Sequence, residues 1–315
     1  LYGDQSNRQI SRNMAKAEGY RVVEHELVRD SDTKYPIFVS NHSMYEHKKR
    51  PINFWLGEVQ VRFMYALGKA KHNFSSWNND YNLILCFGPY QAQRLKQCCS
   101  AAVFEMGYPR YDRYFTNSLD KAKIHQELGL DSNKQTIVWL PTWKELSSID
   151  NFADAMSALS VKYNLVVKTH PLAAVEEPER LEQLKKLTFT KVITEIYDNL
   201  NLYTIADWVV ADYGGPAFGA LYLDKPLILL NMPNAENDEL TGFDSPDILL
   251  RESIVNIDQQ QRWQIEDLIL QNNVWQQQKE SRRKLRQQHF CPSYGFSARL
   301  AAAAIQNVKH ILPMA

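Results

Sequence analysis

The stretch from Ile205 to Met232 leaves this chain few choices of fold. Trp208 to Ala211 is a short apolar run that ends in Asp212. Gly214 and Gly215 then permit backbone angles closed to other residues, and Pro216 suits the first turn of a helix. The spacing predicts a helix over 217–223, broken by Asp224-Lys225-Pro226, and a second apolar run at 227–230 reads as a buried strand. Strand, tight turn, helix and strand make a βαβ unit of a parallel sheet. Its turn presents backbone N–H groups at a helix N-terminus, just beyond a strand's carboxyl end, where open α/β sheets bind anions.

With 315 residues the chain is long enough for two domains of about 150 residues each. Lys+Arg and Asp+Glu are 36 each, so nothing in the overall charge argues for nucleic acid as the partner. Cys86, Cys98, Cys99 and Cys291 show no metal-ligand spacing, and an adjacent pair makes only a strained disulfide, which favours a reducing, cytoplasmic setting. No apolar run approaches the roughly 20 residues of a membrane span. The first residue is Leu1 rather than Met, so some native N-terminal sequence is expected to be missing.

In chain order, helical potential over 9–18 and a strand over 20–27 precede Asp30-Ser31-Asp32. That triplet could bind a metal, but such triplets are common in surface loops. A strand over 36–40 opens onto Asn41-His42-Ser43, which sets His42 in a polar turn just past a strand end, a good place for proton transfer. The run His47-Lys48-Lys49-Arg50 suits a solvated face, or anionic headgroups as the alternative. Residues 52–71 give no firm pattern. Strands over 81–87 and 103–106 flank a helix over 90–99, and Gly107 to Asp112 is a turn leaving the first domain.

The second half predicts a helix over 121–128 and a strand over 136–140 that delivers Pro141-Thr142-Trp143-Lys144. A helix over 152–163 follows, then a strand over 165–168 that delivers Thr169-His170-Pro171. Three strands therefore end in polar groups at Thr142, His170 and Asp212, and in a parallel sheet those ends line one edge and can converge on one ligand. Beyond Met232 come an acidic loop over 234–247, a strand over 253–257, a Gln-rich helical stretch over 259–288 and a last helix over 298–311. The expected division is a first domain over 1–118, a second over 119–290, and a terminal helix over 291–315 that can cross back to the first.

The ordered set Asn41-His42-Ser43, Gly107-Tyr108-Pro109-Arg110-Tyr111-Asp112, Leu140-Pro141-Thr142-Trp143-Lys144, Lys168-Thr169-His170-Pro171 and Ala211-Asp212-Tyr213 through Asp224-Lys225-Pro226 resembles the CDP-glycerol glycerophosphotransferase family of teichoic-acid and capsule polymer enzymes. The resemblance covers roughly residues 37 to 300. It implies a GT-B fold, two Rossmann-like domains facing across a cleft, with the nucleotide donor on the second. It also implies that His42 and His170 are the catalytic residues. There are two departures. The family usually has Gly-Thr-Pro-Leu-Lys after its first His, where this chain has Ser43-Met44-Tyr45-Glu46-His47, which alters the acceptor side. Its Asp-Tyr-Ser-Ser is here Asp212-Tyr213-Gly214-Gly215, which loses two hydroxyls and keeps the backbone N–H groups.

The implied reaction is transfer of a polyol-phosphate from a CDP-activated donor to a hydroxyl of a cell-surface polymer or lipid-linked primer, with a peripheral membrane contact left open. His42 would take the hydroxyl proton as a neutral imidazole. His170, Thr142, Lys144 and Lys168, with Asp212 and the turn Gly214-Gly215-Pro216-Ala217, would hold the donor phosphates. The scheme needs no cofactor and no metal. A GT-B sugar transferase, a non-catalytic nucleotide- or glycan-binding subunit, and a metal-dependent transferase built on Asp30 and Asp32 are the alternatives.

Overall fold

The computed structural model describes residues 5–23, 27, 34–41, 43, 52–116 and 119–312. Two wholly parallel sheets carry the architecture. The first has four strands in sequential order, β1 (Tyr35–Ser40), β2 (Gly57–Phe63), β3 (Leu83–Cys86) and β4 (Ala102–Glu105). The second contains β5 (Thr136–Leu140), β6 (Asn164–Lys168), β7 (Lys191–Ile193), β8 (Trp208–Ala211), β9 (Leu227–Leu230) and β10 (Asn256–Ile257), in the spatial order β10-β9-β8-β5-β6-β7. Relative to its first strand, that is the doubly wound order 3-2-1-4-5-6, with its switch point between β5 and β8.

The strands that sequence patterning found most readily are those buried on both faces. Every residue of β3, β5, β6 and β9 is buried, because helices cover both sides of a parallel sheet and its strands are then continuous apolar runs. β2 gave no such signal. Its Gly-Glu-Val-Gln-Val-Arg-Phe sequence buries Gln60 and Arg62 as completely as Val61. The expected strand over 20–27 is not formed by its described residues: 20–23 are irregular, with Tyr20 69% exposed, so no sheet face covers them. Residues 173–205, left unassigned by the patterning, hold helices Ala173–Glu176, Pro178–Lys185 and Asn199–Ile205 as well as β7. The strand expected over 253–257 shrinks to β10, and the Gln-rich stretch breaks at Leu270 before one long helix, Asn272–His289.

From His289 the chain returns to the first sheet. Cys291 N–H donates to Phe87 O (2.8 Å), Ser293 Oγ to Met106 O (2.9 Å), and the Asp112 carboxylate accepts the N–H groups of Ser297 (3.1 Å) and Ala298 (2.7 Å), capping helix Ser297–Gln306. Between the halves, Phe87, Tyr108, Tyr111, Tyr203, Tyr222 and Phe290 pack edge to face or stacked. Apolar burial and ring contacts of this kind tie the two sheets together.

Candidate active site

The switch point brings the three turns side by side. Leu140 pairs with Ala211 across β5 and β8, and Trp139 pairs with Val167 across β5 and β6, so the residues after each strand emerge at one edge. Asp212, 1% exposed, ties two of these turns together. Its Oδ1 accepts N–H groups from Thr142 (2.9 Å) and Tyr213 (2.7 Å), and its Oδ2 accepts Ser148 N–H (2.9 Å) and Ser148 Oγ (2.8 Å). Burial raises this carboxyl to about 6, against the pull of those donors from Ser148, Tyr213 and Thr142. Asp212 therefore faces protein donors rather than the open cleft, and it positions the Thr142 turn. Glu177 does the same two residues further on: its Oε1 accepts Lys144 N–H (2.6 Å), holding Lys144 at φ 58.

A cavity of about 370 Å³ opens where the turns meet. Thr142, Lys168, His170, Gly214, Gly215 and Pro216 all line it, joined by Trp143, Arg110 and Lys69. Lys144 lines a smaller neighbouring cavity, and its ammonium lies 4.3 Å from the Trp143 ring centroid. Asp212 and Ala217 are buried behind the wall, 1% and 3% exposed. His42, Asp30 and Asp32 lie outside the described residues. The neighbours of His42 are anchored: Asn41 O accepts Arg62 Nε (3.0 Å), and Ser43 Oγ donates to Asp80 Oδ2 (2.6 Å).

No Asp or Glu is among the described residues lining the large cavity, yet Lys69, Arg110, Lys168 and His170 all do so. Burial and then the Arg110 charge lower the Lys168 ammonium. Burial, Lys168 and Lys69 hold the His170 imidazole down at about 4, so it is neutral near pH 7. Its Nδ1 accepts Leu172 N–H (3.2 Å), which leaves the proton on Nε2 as a donor. Trp143 stacks on the imidazole with centroids 5.2 Å apart and 6° between planes, which fixes the ring's orientation. The phosphate turn is more restricted than its sequence suggested. Gly214 N–H is already bound by Asp247 Oδ1 (2.7 Å) and Pro216 has no N–H, so Gly215 and Ala217 supply the first-turn amides without an i−4 carbonyl. Arg110 was visible in the Gly-Tyr-Pro-Arg turn, but no sequence signal marked Lys69.

Residues 26–293 match the CDP-glycerol:poly(glycerophosphate) glycerophosphotransferase family. The chain belongs to that family. It is 25% identical over 189 residues to the teichoic acid poly(glycerol phosphate) polymerase of Bacillus spizizenii, covering 55% of this chain and 47% of that protein. It is 28% identical over 155 residues to the teichoic acid glycerol-phosphate transferase of Staphylococcus aureus, covering 45% and 38%. The chain thus spans about half the length of these relatives or less. Among solved structures, the wall teichoic acid polymerase TagF superposes with TM-score 0.61 at 19% identity, over 88% of this chain and 72% of that one. MnaA of S. aureus in complex with UDP superposes with TM-score 0.58 at 13% identity, over 99% and 84%. These likenesses show the fold, GT-B with two Rossmann-like domains. Among the described residues no helix is long and apolar enough to cross a membrane, and no three His, Cys, Asp or Glu side chains gather as a metal site.

Proposed function

We propose that this glycerophosphotransferase-family chain transfers a polyol-phosphate, of the glycerol- or ribitol-phosphate kind, from a CDP-linked donor to a hydroxyl of a cell-surface polymer or its lipid-linked primer, met at the inner membrane face. The observation that carries the reading is the cation-lined cavity, free of carboxylates among its described residues, at the switch point of the second sheet. Packing like charges with only the carboxylates of Asp198 and Glu195, outside the lining, set against them is costly, and a diphosphate relieves it. One of the TagF structures resembling this chain was soaked with CDPG.

In this scheme the acceptor oxygen attacks the donor's β-phosphorus. A new P–O bond forms, the bond to the bridging oxygen breaks, and CMP leaves with its electron pair. His42 takes the hydroxyl proton. The Nε2–H of His170, with Lys168 and Arg110, meets the charge growing on the bridging and non-bridging oxygens, and the Gly215 amide orients the phosphates. The test is chromatographic detection of CMP from CDP-glycerol or CDP-ribitol in the presence of a lipid-linked primer. CMP release is expected, and His170→Ala should lower it about a hundredfold or more at an unchanged melting temperature. Product from a UDP-sugar alone would instead make the chain a sugar transferase, and nucleotide binding without CMP release would make it a binding subunit.

A further inference from the structure

The acidic loop after β9 is a strap between the two halves. Arg94 Nη2 pairs with Asp244 Oδ2 (2.7 Å), Lys71 Nζ donates to Asp238 O (3.1 Å), and Ala70 N–H donates to Ser245 Oγ (3.3 Å). The contact beside the cavity is Asp247, 2% exposed. Its Oδ2 accepts Lys69 N–H (2.8 Å) and the Ser245 hydroxyl (3.1 Å), while its Oδ1 accepts Gly214 N–H (2.7 Å). One carboxylate therefore grips the phosphate turn of the second half and the Lys69 backbone of the first. The close fit needs Gly68, where a Cβ would lie 2.1 Å from Asp247 Oδ2. Lys69 itself sits at φ 59, a left-handed conformation that a non-glycine residue keeps only where its surroundings enforce it.

Lys69 lines both the large cavity and the smaller one beside it. Among the described residues its ammonium has no ion pair and no hydrogen bond, and its charge helps to hold the His170 imidazole neutral. Asp247 makes no ion pair with that ammonium among the described residues; its oxygens serve three neutral donors.

We propose that Lys69 is a phosphate-binding residue of the donor site, supplied by the first Rossmann-like half, and that Asp247 is the positioning residue that sets it there. The proposal rests on reading the cavity as a diphosphate site. A point-charge ammonium on a flexible stem suits phosphate oxygens, and a single carboxylate fixes the spacing between that ammonium and the Gly215 amide.

The test is titration calorimetry with inorganic pyrophosphate, and separately with CDP, on wild type, Lys69→Gln, Lys69→Arg, Asp247→Ala and the Lys69→Gln/Asp247→Ala double variant, with a melting curve for each. Lys69→Gln should weaken pyrophosphate binding about tenfold, the worth of one charge-assisted hydrogen bond, and Lys69→Arg should restore most of it. Asp247→Ala removes a negative charge near the site, so simple electrostatics predicts tighter binding, whereas a positioning role predicts a severalfold loss. In the double variant the loss should be no larger than for Lys69→Gln alone. If Asp247→Ala fails to fold, Asp247→Asn, which keeps shape and one acceptor, should show the same direction. Pyrophosphate affinity in Lys69→Gln within twofold of wild type overturns the Lys69 assignment. Tighter binding in the Asp247 variant, or losses that multiply in the double, overturn the positioning role. A wild type that binds pyrophosphate but not CDP would defeat the cytidine reading while leaving the Lys69 comparison decisive, and one that binds neither defeats both.

Discussion

Arg62 and Lys168 are both buried cations at the end of a parallel strand, and the protein holds them in opposite ways. Arg62, 0% exposed, gives Nη1 to Asn73 O (2.9 Å), Nη2 to Asn73 Oδ1 (2.9 Å) and Nε to Asn41 O (3.0 Å), with Asn78 Oδ1 as a further acceptor. Its guanidinium carbon lies 4.1 Å from the Trp77 ring centroid. No carboxylate is among these partners, and burial lowers the group to about 10, so neutral dipoles hold the charge in place. Lys168, 8% exposed, has no side-chain acceptor among the described residues and faces Arg110 across a cavity. A buried charge with every nitrogen hydrogen-bonded belongs to the scaffold. One left without acceptors beside other cations has its partner still to come, and the protein carries that strain in the unliganded state.

Replacing Arg62 is the most damaging way to probe this comparison. Arg62→Met leaves the side-chain oxygens of Asn73 and Asn78 without their donor in a dry interior, and the expected loss is about 3–5 kcal/mol in a denaturant titration. The variant should lose the first sheet before the second, visible as a separated transition. A loss under 1 kcal/mol would mean that the neutral oxygens never depended on the cation, and the contrast with Lys168 would collapse.

The same contrast explains what the sequence could reveal. β5, β6, β8 and β9 were legible because burial on both faces makes each an unbroken apolar run, and Gly214, Pro141 and Pro171 mark the turns beyond them. Thr142 and His170 were legible with those strands, since a residue just past a parallel strand has nowhere to go but the ligand edge. β2 was not, because the residues that make it a buried strand include Gln60 and Arg62, whose polarity imitates a surface segment until their partners are known. Asp212 was visible as a conspicuous residue but not in its role, which depends on the amides of Thr142 and Ser148 some 70 and 64 positions earlier. Lys69 was invisible for a related reason. Its environment is set by Asp247, 178 positions away, and no local pattern encodes so distant a pairing.

Two substitutions at the phosphate turn sharpen the comparison with smaller effects. Gly214 sits at φ 96, ψ −160, a region nearly closed to other residues, whereas a side chain at Gly215 meets nothing within 4 Å and its φ is not positive. Restoring the family hydroxyls is thus possible at one position only. Gly214→Ser should cost about 2 kcal/mol of stability, and Gly215→Ser less than about 0.5 kcal/mol, in thermal melts. Lys168→Met should then do the reverse of Arg62→Met: stability unchanged or raised by up to about 1 kcal/mol, with pyrophosphate affinity down about tenfold. If Lys168→Met unfolds the protein as Arg62→Met does, the unpaired cation is structural and the anion site loses its strongest support.

His289 supplies the smallest effect and a third way of burying a basic group, which is to keep it neutral. It is 3% exposed at the end of the long helix, packed between Tyr90 (5.0 Å between ring centroids) and Phe218 (6.2 Å), with Nδ1 unpartnered among the described residues. Burial holds its imidazole down at about 4, below the ordinary 6.5. Between those values the unfolded chain binds a proton that the folded chain refuses. The contribution to stability is therefore complete above about pH 6.5 and is lost as pH falls toward 4. At pH 5.5 the loss amounts to about 1.4 kcal/mol, and at pH 7.5 to almost nothing. His170, held down to a similar value, adds a loss of the same sign. The measurement is the drop in melting temperature from pH 7.5 to 5.5 in wild type and in His289→Leu. The variant should show the smaller drop, whatever its absolute stability, because the His289 share is gone while those of His170 and Asp212 are common to both proteins. An unchanged drop would mean that His289 titrates alike in both states, and that its place among the aromatic rings does not exclude the proton.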